Sequence, residues 1–103
     1  MPTSSTDELQ LAILQQIQAI PKSKVSTYGA IAKAVGYPSH ARFVGSVLKN
    51  LPKESKIPWH RVVNSQGKSS FPVESPAYKK QVERLQDEGV PLLNGKVSKQ
   101  FFV

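Results

Sequence analysis

Apolar residues recur at helical spacing through the first twenty positions. Leu9, Ile13, Ile17 and Ile20 fall on one face, the pattern of a helix that buries a single stripe. The spacing predicts a start near Ser5, where Ser5-x-x-Glu8 fits a capping box and Asp7 adds negative charge at the helix N-terminus. Pro21 closes it. A short second helix follows. Ser26 or Thr27 can cap it, Ile31, Ala34 and Val35 supply its apolar face, and Gly36 fits the left-handed position just past its end. Pro38-Ser39 opens a third helix that runs to about Asn50. Its core side holds Ala41, Val44, Val47 and Leu48, and Arg42, Ser46 and Lys49 fall on the other side.

Beyond Leu51-Pro52 the helical period stops. A polar loop reaches Lys56, and the β-branched run His60–Val63 reads as a strand. Asn64-Ser65-Gln66-Gly67 is a turn, after which Lys68–Phe71 can return as a hairpin. Ser75-Pro76 sets a cap and an N1 proline before a fourth helix, with Val82 and Leu85 on its buried side and Gly89 at its end. Asn94-Gly95 suits a tight turn between two short strands. The pattern predicts an α+β fold: a small helical domain with a helix-turn-helix, winged-helix-like, and a short β-hairpin or wing. At 103 residues one domain over 1–103 is expected.

Charge changes this picture. The chain carries a net +7, but residues 21–73 hold nine basic residues against one acid, and the remainder is close to neutral. A basic middle between neutral ends implies one electropositive face and a polyanionic partner. Two short helices around Gly36-Tyr37-Pro38-Ser39 then read as a DNA-binding pair, with the second helix presented to DNA and Arg42 near its N-terminal end. Ala41 and Gly45 are small, either to let this helix approach a groove closely or to pack it against its neighbour.

Several classes of chemistry are excluded. The chain has no cysteine, hence no disulfide, no thiolate zinc ligand and no thiol nucleophile. Two histidines make a histidine-rich metal site unexpected, and no cofactor is implied. No apolar run approaches the ~20 residues of a membrane span, and the N-terminus lacks the basic and apolar regions of a signal peptide. A cytoplasmic protein without membrane association is expected, nucleoid-associated in a bacterium and nuclear in a eukaryote.

The one tryptophan sits in Pro58-Trp59-His60-Arg61-Val62. A tryptophan in a small protein is commonly core, yet His60 and Arg61 are poor core companions, and an indole is well suited to stacking on a nucleobase. His60 as a general base lacks an adjacent nucleophile to deprotonate. Arg42 suits a phosphate contact or a wedge that fills the gap left by an extruded base. Tyr28 suits a core edge or a phosphate contact.

Four separated stretches, "IPKSKVSTYGAIAKAVG", "ARFVGSVLKN", "IPWHRVVNSQG" and "RLQDEG", occur in an order that resembles the DNA-binding domain of the O6-alkylguanine-DNA alkyltransferases. In that family a Pro-Cys-His-Arg-Val motif carries the alkyl-accepting thiol; here Trp59 stands in its place, as in the alkyltransferase-like proteins, which bind the same lesions without repairing them. The resemblance implies a non-enzymatic sensor that binds double-stranded DNA in the minor groove and flips and holds O6-alkylguanine. It also implies a monomer that flags the lesion for nucleotide-excision repair proteins. Arg42 would be the intercalating finger and Tyr28 the residue pressing on the phosphate beside the flipped nucleotide. Trp59, Tyr28, Pro58, His60 and Asn50 would form the lesion pocket. Ala41, Ser39, Gly45, Lys49 and Arg61 would join Arg42 and Tyr28 on DNA. His60, Glu88 and Asn50 would persist as a hydrogen-bonded relic of the thiol-activating machinery. Two departures stand out: the separate N-terminal domain of many transferases has no counterpart, and Ser69–Glu74 replaces the family's Gly-Tyr-x-Gly-Gly segment, implying a roomier pocket. A helix-turn-helix regulator without lesion preference explains the charge and the helices but not the Pro58–Val62 motif. A hydrolase using His60 and an activated water lacks an evident second group.

Overall fold

In the computed structural model, which describes residues 5–51 and 55–103, the first helix α1 runs Ser5–Gln18. Its stripe is the expected one: Ile13 and Ile17 are fully buried and Ile20 nearly so. The Ser5 capping contact falls on a side chain outside those described. Strand β1, Ser26–Thr27, leads directly into helix α2, Tyr28–Ala34. Thr27 is the cap, its hydroxyl accepting from the Ala30 amide at 3.0 Å. Gly36 takes the left-handed conformation after the helix.

Two expectations in this region are corrected. Ala32, not Ala34, joins Ile31 on the buried face, because Ile31, Ala32 and Val35 share one arc at helical spacing while Ala34 points out of it. Helix α3 runs Ala41–Lys49 rather than from Pro38-Ser39. A turn closed by the His40 amide on the Tyr37 carbonyl (2.9 Å) delays its start. Val44 and Val47 are buried on α3, and Arg42, Ser46 and Lys49 are exposed, as the spacing predicts.

The strand expected at His60–Val63 begins instead inside a turn of helix. Trp59–Arg61 form a 3₁₀ turn, and β2 is only Val62–Val63. β2 pairs in parallel with β1, Ser26 opposite Val62 and Thr27 opposite Val63. The helix pair α2–α3 is therefore the crossover that a parallel connection requires. Lys68–Phe71 does not return along β2. The Asn64–Gly67 turn closes through the Asn64 amide on the Lys68 carbonyl, and Lys68 then bridges to Lys96. Gly67 is required there: at φ +80° a Cβ would stand 2.9 Å from the Val97 carbonyl oxygen.

Helix α4, Pro76–Asp87, is capped by the Ser75 hydroxyl on the Tyr78 amide (3.2 Å). Its core positions are Leu85 and, unforeseen, Gln81; Val82 is half-buried. Strands β3 (Leu92–Leu93) and β4 (Lys96–Val97) form the hairpin around Asn94-Gly95, both at positive φ. Phe102 then bridges to Val25 alongside β1.

Two apolar cores result. One joins α1, α2 and α3 through Ile13, Ile17, Ile31, Val44 and Val47, and the other joins Val25, Leu85, Val90 and Val97. Neighbouring residues of β2 serve both: Val62 enters the first core and Val63 the second, since successive strand side chains face opposite ways. Gln81 holds this partition in register. Its amide nitrogen donates to the carbonyls of His60 (3.2 Å) and Val62 (2.9 Å) from a position 1% exposed. Gln81→Leu strips both carbonyls of their donor, and a buried acceptor left unpaired costs ~1–3 kcal/mol. Urea unfolding should show a loss of about 2–4 kcal/mol; a change below about 0.5 kcal/mol would contradict the clamp.

Candidate nucleic-acid interface

The 3₁₀ turn points its residues in different directions. His60 faces inward and is 7% exposed. Its Nε2 lies 2.7 Å from Glu88 Oε2. Arg61 reaches the same carboxylate through Nε and Nη2 (3.0 and 2.8 Å) and donates through Nη1 to the Ile20 carbonyl at the end of α1 (2.8 Å). The Ser23 amide donates to Glu88 Oε1 (3.1 Å), and the Ser23 hydroxyl donates to the Glu88 carbonyl. Burial alone would raise the Glu88 pKa, but hydrogen bonds from Arg61, His60 and Ser23 outweigh it and hold the group at about 2. Burial pushes His60 below 6.5, against the hydrogen bond and charge of Glu88, with help from the Arg61 and Arg84 charges. An ionised Glu88 only accepts, so the His60 proton sits on Nε2. His60 Nδ1 is then a bare, buried acceptor without a protein partner among the described residues.

Trp59 faces the other way. It belongs to neither apolar core. Its indole meets the edge of Phe71 (centroids 5.8 Å, interplanar 89°), and the Arg84 guanidinium of α4 lies 5.5 Å from the ring centroid. The indole floors a cleft of ≈ 960 Å³ between α3 and α4, at the upper end of the ~300–1,000 Å³ usual for small-molecule sites. Ala41, Arg42, Gly45 and Lys49 of α3 form one wall, and Ala77 and Lys80 of α4 the other. Tyr28 lines the cleft as well, and its ring packs on the first core, the core-edge reading of that residue. Three cations line the cleft and, among the described residues, no carboxylate does. A Cβ at Gly45 would meet only the Tyr28 ring, at 3.8 Å. That is ordinary contact, so helix packing does not demand glycine, and its smallness serves the cleft.

The structure thus gathers Trp59, Tyr28, Arg42, Ala41, Gly45 and Lys49, and leaves others apart. Pro58 is the residue before the 3₁₀ turn and His60 lies behind the indole; neither lines the cleft. Ser39 is exposed in the turn before α3, its hydroxyl beside His40 Nδ1 (3.3 Å). Asn50 ends α3, and its amide donates to the Ser46 carbonyl (3.0 Å) instead of joining His60 and Glu88. Arg61 is turned away from the cationic wall, its guanidinium committed to Glu88 and Ile20. Sequence reasoning missed Phe71, Lys80 and Arg84, which reach the site only through the packing of α4 and the 69–74 segment against the turn. Among the described residues no His, Asp or Glu cluster can hold a metal ion, and no helix is long and apolar enough to cross a membrane.

A helix-turn-helix whose second helix presents a cationic wall beside an aromatic-floored cleft defines a DNA-binding domain with room for an extruded base. Residues 8–90 match the family model of the 6-O-methylguanine DNA methyltransferase DNA-binding domain, and the chain belongs to that family. Within it the chain stands with the alkyltransferase-like, base-flipping proteins. It is 50% identical to a DNA base-flipping protein of Vibrio parahaemolyticus over 84 residues, 82% of either chain. It is 45% identical to alkyltransferase-like protein 1 of Schizosaccharomyces pombe over 86 residues, 84% of this chain and 80% of that one. A crystal structure of the S. pombe protein in complex with damaged DNA containing O6-carboxymethylguanine superposes with a TM-score of 0.85. The identity there is 38%, covering 100% of this chain and 98% of that one. With no cysteine anywhere, this chain has no thiol to accept an alkyl group.

Both titrations in the buried network act in one direction. His60 binds its proton less readily folded than unfolded, so stability is lost as pH falls below 6.5. Glu88 is held at about 2 against 4.5, so further stability, about 3 kcal/mol in all, is lost between those values. Urea midpoints from pH 7 to pH 3 should fall in two stages. Glu88→Gln should be less stable at pH 7 and show a flattened slope below pH 4.5; an unchanged slope there would reject the assignment.

Proposed function

We propose that this protein is a non-catalytic DNA-damage sensor. It binds duplex DNA through α3 from the minor groove, flips an O6-alkylguanine out of the helix and holds it in the cleft against Trp59. The observation that carries this reading is the indole itself. By the resemblance of its motif it stands where the family carries the alkyl-accepting thiol, and it lies outside both cores and lines a cleft beside α3. Arg42, exposed on that helix and on the cleft rim, is placed to fill the gap in the base stack, offsetting part of the few kcal/mol that flipping costs. Lys49 supplies phosphate attraction. Tyr28 presses on the backbone next to the flipped nucleotide. The S. pombe structure on damaged DNA and the base-flipping Vibrio relative support the same reading. The protein acts as a monomer, and because it retains the adduct unrepaired it leaves removal to nucleotide-excision repair proteins, to which the bound lesion is a flag.

The test is a set of dissociation constants at one fixed salt for duplexes with guanine, O6-methylguanine and O6-benzylguanine. Both lesions should bind more tightly than guanine, and mass spectrometry should find every alkyl group still on DNA. Arg42→Ala should weaken lesion duplexes more than the guanine duplex. Lys49→Ala should weaken all three alike and lower the salt slope by about one. Trp59→Ala should remove ~1–3 kcal/mol of the lesion preference. Equal affinity of the wild type for all three duplexes would overturn the sensor in favour of a regulator that ignores damage.

A further inference from the structure

The α4 wall of the cleft carries a feature that holding a methylated base does not use. Ala77, Lys80 and Arg84 lie on one face of α4, at i, i+3 and i+7. Ala77 and Lys80 line the cleft, and Arg84, one turn beyond Lys80, has its guanidinium 5.5 Å from the Trp59 ring centroid. Arg84 thereby fixes how α4 faces the indole, and Lys80, one turn or ~5.4 Å toward the N-terminal end of the helix, lines the cleft. The segment completing this side brings Ser70 and Phe71, neither of them charged. Among the described residues no acid lines the cleft, and Glu88, the acid nearest the indole's turn, is committed to His60, Arg61 and Ser23. Arg42 and Lys49 stand on the opposite, α3 wall, the one facing DNA. Lys80 is thus the cation that lines the cleft from α4, on the side away from the recognition helix.

We propose that Lys80 makes this cleft selective for O6-adducts with an anionic substituent, carboxyalkyl groups above all, over neutral adducts of the same size. The proposal rests on the base-flipping reading. A flipped guanine stacked on Trp59 brings its O6 substituent into the space between indole and α4, where a carboxylate gains a charge-assisted contact with the ammonium. A neutral substituent gains only the apolar contact of Ala77 and Phe71. The ≈ 960 Å³ volume accommodates either.

Two isosteric lesions separate charge from size: O6-carboxymethylguanine and O6-carbamoylmethylguanine, in one duplex at one salt, with O6-methylguanine and guanine as references. The wild type should bind the carboxylate about fivefold more tightly than the amide, the scale of a partly exposed ion pair. Lys80→Gln should bring that ratio to about one, by weakening the carboxylate duplex more than the amide duplex. Equal binding of the two isosteres by the wild type, or a ratio that survives Lys80→Gln, would overturn the proposal. Equal weakening of all four duplexes by Lys80→Gln would make Lys80 a phosphate contact and would also overturn it. If O6-methylguanine and guanine bind the wild type alike, the base-flipping reading fails first, and the proposal with it.

Discussion

The carboxylate of Glu88 receives hydrogen bonds from two stretches of chain that are distant in sequence. His60 and Arg61 come from the 3₁₀ turn, the Ser23 amide from the loop after α1, and Arg61 continues to the Ile20 carbonyl. Glu88 itself caps the end of α4. One partly buried anion therefore ties the first helix, the last helix and the motif turn together. An ion pair of this kind is costly to break, because removing either partner strands the other charge away from water. Its depressed pKa is the measure of how completely the network satisfies the charge.

This knot makes the front of the turn usable. With His60 and Arg61 held behind, and Gln81 gripping the carbonyls of His60 and Val62, Trp59 has only one direction left. Its indole is displayed rather than buried, steadied by the edge of Phe71 and the cation of Arg84. A rigid aromatic plate can stack on a base without first losing rotamer freedom, so less of the contact energy is spent on ordering. The wall opposite supplies the complementary half: the small residues Ala41 and Gly45 leave space, and Arg42 and Lys49 make it cationic. The network of His60, Arg61 and Glu88 thus serves as the scaffold on which Trp59 is presented.

What the sequence showed in advance follows locality. The α1 stripe, the Thr27 and Ser75 caps, the Gly36 exit and the Asn94-Gly95 hairpin depend on residues within a few positions of one another, and each appears as expected. The helix-turn-helix was legible for the same reason. The parallel pairing of β1 with β2 was not, because two-residue strands carry no period and their partner lies 36 positions away. Gln81 was hidden by being polar at a core position. Arg61 is a DNA contact only by resemblance, and the acid that claims it is 27 residues on, out of reach of any local pattern. The α3 wall of the cleft was readable as one amphipathic helix, whereas Phe71, Lys80 and Arg84 enter only by tertiary packing. Asn50 was grouped with His60 and Glu88 by resemblance, and the end of α3 holds it elsewhere.

The central claim is that the Trp59 indole itself receives the flipped base. Trp59 is the only tryptophan in the chain, so its emission reports on that one place. Titration with a duplex containing O6-methylguanine should quench and shift the indole emission, and the same duplex with guanine should leave it nearly unchanged at matched saturation. Identical responses to the two duplexes, or emission blind to both, would contradict the account.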